Sequence, residues 1–182
     1  MAYQDFKGKR VIVTGASQGI GLAVATQLLF YGAQVIGLDI AFDAVIGDKN
    51  QPDCDGMFRF HLDISQRQSI KPLIDAIELQ LGAIDYLASV AGILRMSALL
   101  EHTEQDWLDT FDVNCHGPFI LCQAVAKNMK KRGNGAIVAV GSNAANTARL
   151  NMGSYCASKA ALTNGSSAAL SLRREASSCT SL

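Results

Sequence analysis

Short β-branched runs alternate with longer stretches of helical period along most of the chain. RVIVT (10–14), QVIGLD (34–39), FRFHLD (58–63), IDYLASV (84–90) and AIVAVGS (136–142) read as strands. Between them lie a helix from Gly19 to about Tyr31, one ending near Leu81 and a long helical region through Arg132, and a further helix opens near Gly153. Strands that regularly return through helices pair parallel, and a parallel sheet needs both faces covered. The expected class is therefore α/β, a doubly wound parallel sheet.

Within the helices, Ile20, Ala23, Val24 and Leu28 are expected on one face, with Gly32 as the left-handed residue that ends the segment. Ile70, Leu73, Ile74, Ile77 and Leu81 form a second stripe, with Ser65 as its cap and Pro72 as a source of distortion. Thr103 is placed to cap a third helix. No internal repeat and no linker precedes residue 163. From Gly165 the sequence GSSAALSLRREASSCTSL brings few large apolar residues at core spacing. The pattern predicts an incomplete domain over 1–164 and an atypical tail over 165–182 that adds no strand, as a truncated or frameshifted end would.

Composition narrows the partners. The 182 residues carry no formal net charge, so the footprint of a nucleic-acid or anionic-membrane binder is missing, and a small-molecule substrate is expected. The five cysteines, Cys54, Cys115, Cys122, Cys156 and Cys179, lack the close pairs of a zinc or redox motif, so no metal is expected and a reducing cytoplasm is the natural compartment. MAYQDFKGKR lacks the apolar centre of a signal peptide, and no apolar run approaches a bilayer span.

TGASQGIG (14–21) lies between the first strand and its helix. Glycines there let backbone approach a pyrophosphate, and the helix N-terminus offers it unpaired N–H groups. Gly15, Ser17, Gln18, Gly19, Ile20 and Gly21 are the candidate phosphate-loop residues. Asp39 ends the next strand, where a carboxylate accepts hydrogen bonds from a ribose diol and repels a 2′-phosphate, which favours NAD over NADP. Asp63 has two readings, an adenine contact or an acid leading a helix. Ile64, Ala91 and Gly92 complete the predicted cofactor site.

Tyr155 and Lys159 share a helix face, so an ammonium can lie beside a phenol and favour its ionised form. Ser142 ends the preceding strand, and Asn114 lies in a helical region where its amide could hold a water or the lysine. Each has an ordinary structural explanation alone. Together, behind a dinucleotide loop, they point to catalysis.

With these residues in place the sequence resembles the short-chain dehydrogenase/reductase family, whose fold is Rossmann-like. TGASQGIG matches the family's TGxxxGIG loop, and Asn114, Ser142, Tyr155 and Lys159 match its catalytic tetrad in order and spacing, over about Lys7 to Leu162. The resemblance implies that ionised Tyr155 takes the proton of a substrate hydroxyl and that Ser142 holds that hydroxyl. It implies further that Lys159 lowers the tyrosine pKa and binds the nicotinamide ribose, while Asn114 anchors a relay water. Tyr155 and Lys159 thus count among the cofactor residues as well.

AGILRM (91–96), EQDWLDTFDVN (104–114) and ARLNMGSYCASKAAL (148–162) narrow the resemblance to members that oxidise a carboxylated ring diol to a catechol. Such a substrate needs a cationic partner, for which Arg149 and Arg95 are candidates, and apolar walls, for which Met96 and Met152 are. Another small alcohol or ketone stays open as substrate, and so does a dinucleotide-binding fragment without turnover. One departure is SVAG (89–92), where the family has NNAG or NAAG, and Ser89 is expected to support the sheet less well. The family resemblance also implies a homo-oligomer through the helices covering 110–132 and 153 onward when the chain is full length.

Overall fold

The computed structural model describes residues 6–43, 52–53, 55–169 and 179–181, with side chains through 165 in the last helix. β1 (Arg10–Thr14) leads to α1 (Gly19–Phe30), β2 (Gln34–Asp39), β3 (Phe58–His61) and α2 (Arg67–Leu81). β4 (Tyr86–Ser89), α3 (Glu104–Phe111), α4 (Gly117–Arg132), β5 (Ala136–Ala139), α5 (Gly153–Ala169) and β6 (Cys179–Ser181) follow. The strands lie in the order β3-β2-β1-β4-β5-β6, all parallel. From β1 the chain winds outward through β2 and β3, then crosses to β4 and winds the other way. A crevice opens at that reversal, outside the carboxyl ends of β1 and β4.

Alternation along β1 builds two cores. Ile12 faces a cluster with Ile36, Leu38, Leu87 and the buried stripe Ile70, Ile74 and Ile77 of α2, joined by Leu121 and Val125 of α4. Val11 and Val13 face the other way, onto Val35, Met57 and Ala25 of α1. The α2 stripe lies as its spacing predicts, with Leu73 and Leu81 packed at its margin. Pro72 sits inside the continuous helix.

The α1 face differs from expectation. Ile20 is 64% exposed and Ala23 is exposed, whereas Gly21 and Ala25 are buried, with Val24 and Leu28 beside them. Small residues carry this contact because the helix lies close on the sheet, so hydrophobic size misplaces the face. Gly32 does end α1: it has φ +80°, its N–H donates to the Leu29 carbonyl and the Ala33 N–H to that of Leu28, the paired bonds of a Schellman turn. Thr103 caps α3 by accepting the Asp106 N–H at 3.0 Å. Ser65 caps nothing. Its hydroxyl donates to Asp63 at 2.7 Å, and α2 begins after Gln66 without a side-chain cap.

The long helical region is interrupted by a π-helical turn over Asp112–His116. At the C-terminal end, α5 runs on past Gly165 to Ala169, and Cys179–Ser181 adds a strand where none was expected. Alanine sustains helix without needing core contacts. The free edge of β5 offers unpaired backbone groups to which a short extended segment can pair, with Ile137 opposite Cys179.

Candidate active site

The crevice is a cleft of about 490 Å³ lined by Gly15, Gln18, Gly19, Ile20, Gly21, Asp39, Asp63, Ile64, Ala91 and Gly92 among others. All but one of the residues expected at the cofactor outside α5 therefore line one cavity. The exception is Ser17, whose N–H donates to Asp39 at 3.0 Å.

Glycine packing shapes the floor. A Cβ on Gly21 would stand 2.0 Å from the Gly15 carbonyl oxygen, so α1 starts directly against the turn. Gly15 itself has φ +68°, and its Cβ would meet Ala91 Cα at 3.1 Å. The N-terminus of α1 has no side-chain cap and no acidic residue in its first turn, which leaves its N–H groups to the cleft. Asp39, only 9% exposed, accepts the N–H groups of Ser17 and of Ala41 (2.9 Å), one on each carboxylate oxygen. Each oxygen keeps a second lone pair for a ligand. Asp63 accepts both the N–H and the hydroxyl of Ser65 on one oxygen, so it leads α2 and lines the cleft at once.

Asn114, Tyr155, Lys159 and Ser142 stand outside the lining of this cleft, and two lining residues, Gly92 and Ile93, meet Asn114 and Lys159. Ile93, on the wall, donates its N–H to Asn114 Oδ1 (2.8 Å) and accepts from Asn114 Nδ2 (2.9 Å). A Cβ on neighbouring Gly92 would lie 3.1 Å from Asn114 Oδ1 and 3.5 Å from Lys159 Nζ. The π-turn buries Asn114 completely and aims its amide at this loop. Nδ2 also donates to Ser158 Oγ (3.2 Å), which donates in turn to the Tyr155 carbonyl (2.9 Å). Both amide hydrogens are thus spent on protein, and only the second lone pair of Oδ1 is left for a water.

Lys159 is buried, donates to the Val140 carbonyl at 3.0 Å, and has no carboxylate partner among the described residues. Burial pushes its pKa below the ordinary lysine value. Its Nζ stands 6.0 Å from the centre of the Tyr155 ring. Ser142 accepts the Ala144 N–H at 3.2 Å and so caps the 3₁₀ turn Asn143–Ala145 at the end of β5.

The four residues expected at the substrate lie on two loops joined by a hydrogen bond from the Ser97 N–H to the Asn151 carbonyl (3.1 Å). Met96 is 59% exposed and Met152 half-buried. The arginines differ. Arg95 is paired with Asp106 (3.2 Å) and Asp109 (3.3 Å) on α3. Arg149 donates to the neutral amide oxygen of Asn143 at 2.9 Å.

Several contributors escaped the sequence reading. Thr14 Oγ1 accepts the N–H groups of both Val90 (2.9 Å) and Ala91 (3.0 Å), which ties the SVAG loop to β1 beside the buried Ser89. Its position at the head of TGASQGIG was the available signal. Ile93, Val140 and Asn143 act through backbone or through a loop contact, and no residue-type pattern marks them.

A family model described as short chain dehydrogenase matches residues 9–176. The chain is 38% identical over 159 residues to a D-threitol dehydrogenase of Mycolicibacterium smegmatis, covering 85% of this chain and 61% of that protein. It is equally 38% identical over 158 residues to the 2,3-dihydro-2,3-dihydroxybenzoate dehydrogenase of Escherichia coli, covering 87% and 60%. A crystal structure of a short-chain type dehydrogenase/reductase from Mycobacterium marinum superposes with a TM-score of 0.86 at 28% identity, covering all of this chain and 77% of that one. The chain spans about three fifths of the length of these two curated relatives.

Proposed function

We propose, for a chain that belongs to the short-chain dehydrogenase family, the NAD-dependent oxidation of 2,3-dihydro-2,3-dihydroxybenzoate to 2,3-dihydroxybenzoate, a step of catecholate siderophore synthesis. The observation that carries the reading is the junction at Gly92, where the cleft meets Asn114 and Lys159.

The residues present fit the cofactor. Gly15 and Gly21 let the turn, α1 and the Ala91 loop close on one another at the floor of the cleft, the uncapped N-terminus of α1 suits a pyrophosphate, and Asp39 has lone pairs free for a ribose diol. With the Asp39 carboxylate and the uncharged Gln18 at this end of the cleft, a 2′-phosphate meets repulsion and no cation among the described residues that line it, which favours NAD over NADP. When bound, NAD supplies the acceptor for the hydride leaving the alcohol carbon.

The tetrad moves the proton. Tyr155 takes it from the substrate hydroxyl, with Lys159 Nζ 6.0 Å from the centre of its ring. Ser142 accepts from Ala144, which leaves its own O–H to donate to the substrate oxygen. Asn114 holds the Gly92–Ile93 loop against α5. The alcohol loses a hydride and a proton, and enolisation of the resulting ring ketone gives the catechol.

The substrate choice rests on the E. coli relative and on Arg149 as a cation available to a carboxylate. The equally similar D-threitol dehydrogenase supports a second reading, an uncharged polyol. NADH formation separates them: the first reading predicts turnover of the carboxylated dihydrodiol and little of D-threitol, abolished in Tyr155→Phe with NAD binding unchanged. Indifference to the carboxylate would remove the first reading, and turnover surviving in Tyr155→Phe would remove both.

A further inference from the structure

We propose that Asn143 is a positioning residue that confers carboxylate selectivity by holding Arg149 in place without neutralising it; the inference rests on the carboxylated-substrate reading above. Two arginines reach the loops on this side of the molecule, and their partners differ in charge. Arg95 faces Asp106 and Asp109 together, so its surroundings are net negative and repel an incoming carboxylate. Arg149 is held by the amide oxygen of Asn143 and meets no carboxylate among the described residues. Its full charge and its remaining N–H donors stay available for a fork onto two carboxylate oxygens.

The anchor is well placed for this purpose. Asn143 follows Ser142 directly and opens the 3₁₀ turn that the Ser142 hydroxyl caps, so the serine and the arginine hang from one turn. The loop carrying Arg149 is secured just after the arginine: Met152 donates its N–H to the Arg149 carbonyl (3.2 Å), and the Asn151 carbonyl accepts the Ser97 N–H (3.1 Å). An arginine on an exposed loop would otherwise sample many rotamers, and a neutral acceptor removes that freedom at no cost in charge. An aspartate at 143 would hold the guanidinium equally well and cancel its charge.

The test is calorimetric binding of 2,3-dihydroxybenzoate and of catechol, with NADH present, to the parent chain, Asn143→Ala and Asn143→Asp. The parent is expected to prefer the carboxylated ligand by about tenfold or more, the worth of one charge-assisted pair. Asn143→Asp should bring the two ligands within about twofold, Asn143→Ala should fall between, and catechol affinity should stay constant throughout. A preference retained in Asn143→Asp overturns the inference while leaving the substrate reading standing. Equal losses for both ligands also overturn it, since they mean a merely structural residue. A parent without preference removes the substrate reading and the inference with it.

Discussion

On the glycine-turn side of the cleft, position is held by backbone: glycine against carbonyl at Gly21, backbone N–H groups on Asp39, and two N–H groups on Thr14. On the two loops proposed to meet the substrate, position is held by exposed side chains, Arg95 on two aspartates and Arg149 on an amide. At Gly21 the first kind of construction admits almost no substitution, because any side chain adds atoms where there is no room. The second can be retuned by single changes that leave the fold intact.

Substitutions on the two sides should therefore differ in kind. Gly21→Ala forces a Cβ into backbone, and the overpacking should cost about 3 kcal/mol of stability and most of the NAD affinity, read by urea unfolding and NAD titration. Gly19→Ala meets nothing within 4 Å and suffers only its φ of +54°, for a cost of about 1 kcal/mol. Arg149→Ala should stay within about 0.5 kcal/mol of the parent, as an exposed position does. Equal losses at Gly21 and Arg149 would erase the distinction.

The smallest expected effect concerns the group between the two sides. Burial lowers the pKa of Lys159 below its ordinary 10.5, so over the alkaline range between those values the unfolded chain binds more protons than the folded one. The contribution of Lys159 to stability then rises with pH across that range and is level above it. Lys159→Met removes this titration. Measured by urea unfolding from pH 7 to pH 11, the stability of the variant minus that of the parent should decline as pH rises; an increase would contradict the burial of a charged lysine.

Much of this arrangement is legible in the sequence because it depends on residue type. The alternation of strands with helices, the α2 stripe, Thr103 as cap and Gly32 as terminator all follow from local chemistry, and the glycine turn follows from glycines between a strand and a helix. What stays hidden depends on geometry between segments. The face of α1 was misread because closeness of approach, and not apolar bulk, selects Gly21 and Ala25. Ser65 could cap a helix or serve Asp63, and only the turn decides. A π-turn differs from an α-turn by one residue per bond, which hydrophobic spacing does not record, yet it is what buries Asn114. The aspartates that occupy Arg95 come from a helix beyond its loop, so the two arginines look alike until folded.

The cleft and the tyrosine helix meet at Gly92, and the proposed chemistry needs that meeting. Titration of NAD into isotopically labelled protein, followed by amide chemical shifts, tests this directly and without turnover. The predicted result is concerted movement of Gly15, Ala41, Gly92 and Ile93 with Tyr155 and Lys159 at one saturation point. Movement of Gly15 and Ala41 with Gly92, Tyr155 and Lys159 unchanged at saturation would contradict it.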